Sequence, residues 1–149
     1  MRVLAAFAIS IFILAGCQGQ PSETSAPSVV EASDAWCRPT PNGARTGACY
    51  VTLSASVDDR LVSASLPGVP SVQIHEMIMA DGMMRMHEME GGLVLPQGVA
   101  VELKPGAAHL MLMGLEAPLM EGAVTSLTLG FEKAAPITVE AAIRQPAAA

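Results

Sequence analysis

Apolar and polar residues alternate along most of this chain in short runs cut by proline and glycine. A two-residue period is the mark of a half-buried strand. Candidate strands are Ala35–Arg38, Ala48–Ala55, Leu61–Leu66, Ser71–Met79, Met83–Met89, Val99–Leu103, Ala108–Met113, Val124–Phe131 and Ile137–Ile143. No stretch keeps a helical apolar period beyond two turns. Strands at this density predict an all-β fold, a Greek-key β-barrel or β-sandwich. Asp81-Gly82 predicts a tight hairpin joining the strands that end at Met79 and start at Met83.

The two ends break the pattern. Met1-Arg2 is followed by a nearly unbroken apolar run from Val3 to Leu14, then Leu14-Ala15-Gly16-Cys17. The run is too short to span a bilayer and has the three-part form of a secretory signal peptide. Its ending resembles the lipobox of bacterial lipoproteins, so residues 1–16 are expected to be removed and Cys17 lipidated. An ordinary signal peptide cut nearby, with Cys17 lost or free, stays open as the alternative. Residues 17–33 then form a polar tether, rich in proline and serine, with a reach of roughly 20–24 Å. The domain is expected over residues 34–144, with 145–149 a frayed tail. Gln18 after Cys17 does not decide between inner and outer membrane.

Three cysteines in an exported chain leave one over. With Cys17 lipidated, Cys37 and Cys49 form an even pair around the Asn42-Gly43 turn signal. A disulfide there would contribute ~3 kcal/mol. The rival reading makes both of them metal ligands. Beyond the leader, 7 basic residues stand against 14 acidic ones. That balance argues against nucleic acid and against electrostatic attraction to anionic lipid. Aromatic residues are few, so the core has to come from Leu, Val, Ile and Met.

Methionine is where composition becomes chemistry. Nine of the ten methionines and all three histidines lie between His75 and Met120. Thioether sulfur is a soft ligand and imidazole a borderline one, a combination that selects Cu(I) over harder ions. Methionine also fills cores, so spacing has to separate the two roles. On a strand, residues two apart share a face. His75, Met77 and Met79 therefore share one face, and His109, Met111 and Met113 share another. Met84 and Met86 point one way, while Met83, Arg85, His87 and Met89 point the other. Three strands could converge on one pocket of two histidines and two or three methionines.

These residues resemble the PCuAC family of periplasmic copper chaperones. The match is His75, ten residues, Met86, twenty-two residues, then His109-Leu110-Met111. Flanking matches are Asp34-Ala35-Trp36, Gly47-Ala48 with Tyr50, Asp59-Arg60-Leu61-Val62, Val101-Glu102-Leu103-Lys104-Pro105-Gly106 and Met113-Gly114-Leu115. The resemblance implies a cupredoxin-like barrel binding one Cu(I) through His75, Met86, His109 and Met111. Met77 and His87 are further candidate ligands. It also implies delivery to the binuclear copper centre of cytochrome c oxidase subunit II, beside a Sco-type thiol protein. The protein is then a monomer held by its lipid at the periplasmic face of a bacterial membrane. Three departures stand out. The Met86–His109 gap is one residue longer than usual, which Glu90-Gly91-Gly92 can absorb; Cys37 and Cys49 replace small apolar residues; His87 replaces an arginine.

Other functions compete. A copper-buffering lipoprotein would use the same ligands without a dedicated acceptor. A blue-copper electron carrier needs a cysteine ligand close before a histidine, and none follows Cys49. An adhesion or assembly module could share the sandwich. Neither a hydrolytic triad nor a phosphate loop is visible, so an enzyme is not expected.

Overall fold

Strand after strand forms where side chains alternate in the computed structural model, which describes residues 27–146. The elements are β1 Val30–Cys37, β2 Thr46–Ala55, β3 Asp59–Ser65, β4 Ser71–Ala80, β5 Met83–Glu88, β6 Leu93–Leu95, β7 Ala100–Glu102, β8 His109–Met113, β9 Val124–Phe131 and β10 Ile137–Ile143. Among the described residues there is no helix. The leader, Cys17 and most of the tether lie outside them, as does the end of the tail.

One hydrogen-bonded sheet runs β5-β4-β8-β2-β1-β10-β9-β3-β6, with β7 added beside β2. Every pair is antiparallel except β1 with β10. The sheet folds over so that β3 packs against β4 without pairing to it, yet β5 and β6, the two ends of the order, are not hydrogen-bonded to each other. The architecture is therefore a cupredoxin-like, unclosed Greek-key sandwich. Its core is leucine-dominated: Leu53, Leu61, Leu95, Leu110, Leu112, Leu127 and Leu129 are fully buried.

Two differences from the sequence pattern have physical causes. β1 begins at Val30, inside the stretch read as tether, because Val30 pairs with Ala55 and buries its side chain in the core. The polar residues that follow it lie before a bulge between Ser33 and Trp36, where Asp34 takes φ 48°. β6 is an additional strand. Three residues between Gly92 and Pro96 are too few to show alternation, but Leu93 and Leu95 are buried and pair with β3.

Cys37 and Cys49 are opposite each other on β1 and β2, bonded at 1.97 Å between sulfurs with Cα atoms 4.0 Å apart. Both are wholly buried. The bond closes the segment carrying the Asn42-Gly43 turn, where Ala44 N donates to Pro41 O and Gly43 takes φ 82°.

Candidate functional site

Register decides which histidines and methionines meet. Asp81 and Gly82 both take positive φ, 52° and 74°, the conformation of a two-residue type I′ hairpin turn. Ala80 is thereby fixed opposite Met83, and the ladder then pairs Met79 with Met84, Met77 with Met86 and His75 with Glu88. On its other side β4 pairs with β8, setting Gln73 against Met111 and His75 against His109. Directly paired residues share a face. His75, Met77, Met86, His109 and Met111 are therefore on one side of the sheet, opposite the core leucines Leu110 and Leu112.

A cleft of about 460 Å³ opens on that side. Met77, Met86, His109 and Met111 line it, together with Arg38, Tyr50 and backbone-rich segments at residues 39–40, 46–48 and 105–106. His75 stands beside it, its ring centroid 5.8 Å from that of His109 and inclined by 61°. Outward from Ile74, which is buried, the β4–β5 hairpin leaves the core. Ile78 is already 36% exposed and all of β5 is exposed. Met86 consequently presents its thioether half-exposed while His109 is buried.

Each imidazole has one nitrogen engaged. His109 Nδ1 lies 3.0 Å from the Ala107 carbonyl oxygen, which can only accept, so Nδ1 carries the proton and Nε2 keeps its lone pair. His75 Nε2 lies 3.1 Å from Gln73 Oε1, again an acceptor, and its Nδ1 is buried with no hydrogen-bond partner. An unpaired buried nitrogen costs about 1–3 kcal/mol unless something occupies it. Burial pushes the His75 imidazole below its usual range, and the neighbouring His109 adds to the effect. The shift favours the neutral ring, the state that a metal needs. Burial also pushes the Tyr50 phenol up against the opposing pull of Arg38.

Among the described residues, no three of His, Cys, Asp or Glu gather closely enough to hold a metal ion. Any soft-metal set on this face has to be completed by methionine. His87 is opposite Glu76 on the other side of β4–β5 and does not join His75 and His109. The cysteines are not free to act as ligands, being bonded to each other on the core side. Met89 packs against the core, while Met79, Met83, Met84 and Met120 are exposed and fill no core. Sequence reading overlooked Gln73, Glu88 and Arg38. Glu88 was accessible to it, since the Asp81-Gly82 turn alone sets Glu88 opposite His75.

This fold and face define a class with solved members. The chain is similar to a copper-bound PCuAC domain from PmoF2, 26% identical with a TM-score of 0.66, over 81% of this chain and 97% of that one. It is also similar to the Cu(I) form of DR1885 from Deinococcus radiodurans, 27% identical with a TM-score of 0.62, over 89% and 85%. The family model described as LpqE-like, a lipoprotein family, matches residues 30–143, and the chain belongs to that family. Lxx21020 of Leifsonia xyli subsp. xyli, a lipoprotein by name, is 35% identical over 102 residues. That match takes in 68% of this chain and spans 61% of the relative's length.

Proposed function

We propose that the protein is a lipid-anchored extracytoplasmic copper chaperone. It takes one Cu(I) as cargo on His75, Met86, His109 and Met111 and passes it to the binuclear copper site of cytochrome c oxidase subunit II. The observation carrying this reading is the buried, unpartnered Nδ1 of His75 beside the register partner His109, on a face that also presents the thioethers of Met77, Met86 and Met111. Copper in the two solved relatives supports the cargo, and the lipoprotein family supports anchoring through Cys17.

The chemistry suits a carrier. Two neutral imidazoles and two thioethers leave the ion with its own single charge, which favours Cu(I) over Cu(II). Thioethers need no deprotonation, so only the imidazoles compete with protons for the metal. No thiolate is offered to hold the ion too firmly. Met86, half-exposed on the projecting hairpin, is the ligand an acceptor reaches first. Met77, its cross-strand partner, can hold the ion during exchange. A Sco-type thiol protein would act at the same acceptor.

The test is a Cu(I) competition titration of the detergent-solubilised full chain, followed by transfer to the apo copper domain of subunit II. One equivalent bound and then transferred is expected. No binding against a chelator of moderate strength sinks the metal reading, and tight binding without transfer replaces delivery by buffering.

A further inference from the structure

Glu88, Gln73 and His75 form a chain of hydrogen bonds with a fixed direction. Glu88 Oε2 accepts from Gln73 Nε2 at 3.1 Å, and Gln73 Oε1 is 3.1 Å from His75 Nε2. An ionised carboxylate only accepts. The Gln73 amide must therefore turn its NH2 group toward Glu88, which leaves its oxygen toward His75. An amide oxygen also only accepts, so the His75 proton belongs on Nε2. Turning the amide over would set oxygen against carboxylate at one end. At the other end it would move the ring proton onto Nδ1, a buried atom with nothing to receive it.

We infer that Glu88, acting through Gln73, is a positioning residue that fixes His75 in its Nε2–H form and keeps Nδ1 as a bare lone pair before any metal arrives. The function of that lone pair rests on the copper reading, but the tautomer does not. His109 reaches the opposite form through the Ala107 carbonyl, so the two rings present different nitrogens. Backbone geometry sets one and a side-chain relay sets the other. Outer partners of this kind orient ligating histidines and are worth 10–100-fold in metal affinity. The relay also ties the exposed edge strand β5 to the half-buried ring of His75. Glu88 is on β5 and His75 on β4, and the hairpin turn holds them opposite each other.

The experiment is long-range proton–nitrogen correlation NMR of the metal-free, detergent-solubilised full chain, at a pH where the imidazoles are neutral. His75 should show the Nε2–H pattern and His109 the Nδ1–H pattern. Glu88→Lys replaces an acceptor by a donor, which turns the Gln73 amide over and should convert His75 to Nδ1–H. Glu88 is exposed, so this change leaves the core intact. Gln73→Leu removes the relay without altering charge. It should leave His75 exchanging between forms and lower Cu(I) affinity about tenfold, with His109 unaffected. An Nδ1–H pattern for His75 in the unaltered chain, or no change of tautomer in Glu88→Lys, overturns the inference. An unaltered chain with the expected tautomers and the expected reversal, but no uptake of Cu(I), keeps the relay and sinks the copper reading instead.

Discussion

His75 and His109 are register partners on adjacent strands, and each has one ring nitrogen engaged by an acceptor and the other left bare. If these bare nitrogens bind the cargo, His75→Ala and His109→Ala should each lower Cu(I) affinity by about 100-fold or more, since outer-shell losses alone reach that range. His87→Ala should leave affinity unchanged, because His87 is on the opposite face. Competition titration with a chromogenic Cu(I) chelator measures all three. Equal losses at the three positions would remove the assignment.

Met77 and Met86 are also register partners, but their proposed roles differ. Met86→Leu keeps the volume and removes the thioether, and should weaken Cu(I) binding at least about tenfold, or 1.4 kcal/mol. Met77→Leu should leave affinity nearly unchanged and slow transfer to the subunit II domain. Stopped-flow transfer kinetics separates the two. Unchanged affinity together with an unchanged rate for Met77→Leu would take that residue out of the mechanism.

The Cys37–Cys49 bond sits in the core, between segments that wall the cleft at residues 38–40 and 46–48. Replacing both cysteines by alanine should cost about 3 kcal/mol by the loop-closure estimate, read as a lower urea midpoint. Since both sulfurs are wholly buried, a thiol reductant should attack the folded protein slowly and the urea-unfolded protein quickly. Equal reduction rates in the two states would contradict this packing.

Asp59 is buried and takes hydrogen bonds from Ser28 Oγ and from the backbone N–H groups of Arg60, Lys133 and Ala134. Burial alone would raise its carboxyl, but the four donors outweigh it and hold the group below its ordinary 3.8. A depressed folded value means that the unfolded chain binds the proton more readily. The stability Asp59 supplies is therefore complete above that ordinary value and is lost as pH falls through the lower, folded one. Asp59→Asn should cost about 2–3 kcal/mol at neutral pH and flatten the acid limb of the stability curve. Denaturant titrations across the acid range check both outcomes.

How much was legible in advance varies with the range of the interaction. Alternation marked β9 and β10 at their observed limits, because both strands bury one face and pair with each other in succession. The Asp81-Gly82 turn carried the register of β4 with β5, and with it the Met77–Met86 pair. β6 was invisible because three residues carry no period, and the start of β1 was masked by the polar Glu31, Ser33 and Asp34 that follow a buried Val30.

The sequence by itself determined the strand faces, the hairpin and the soft character of the ligands, since backbone period and side-chain chemistry are local properties. Tertiary structure alone decided that β4 lies beside β8. That pairing brings His75 to His109, across thirty-four positions of chain. It also decided the tautomers. A ring proton goes where an acceptor stands, and both acceptors here are placed by the fold.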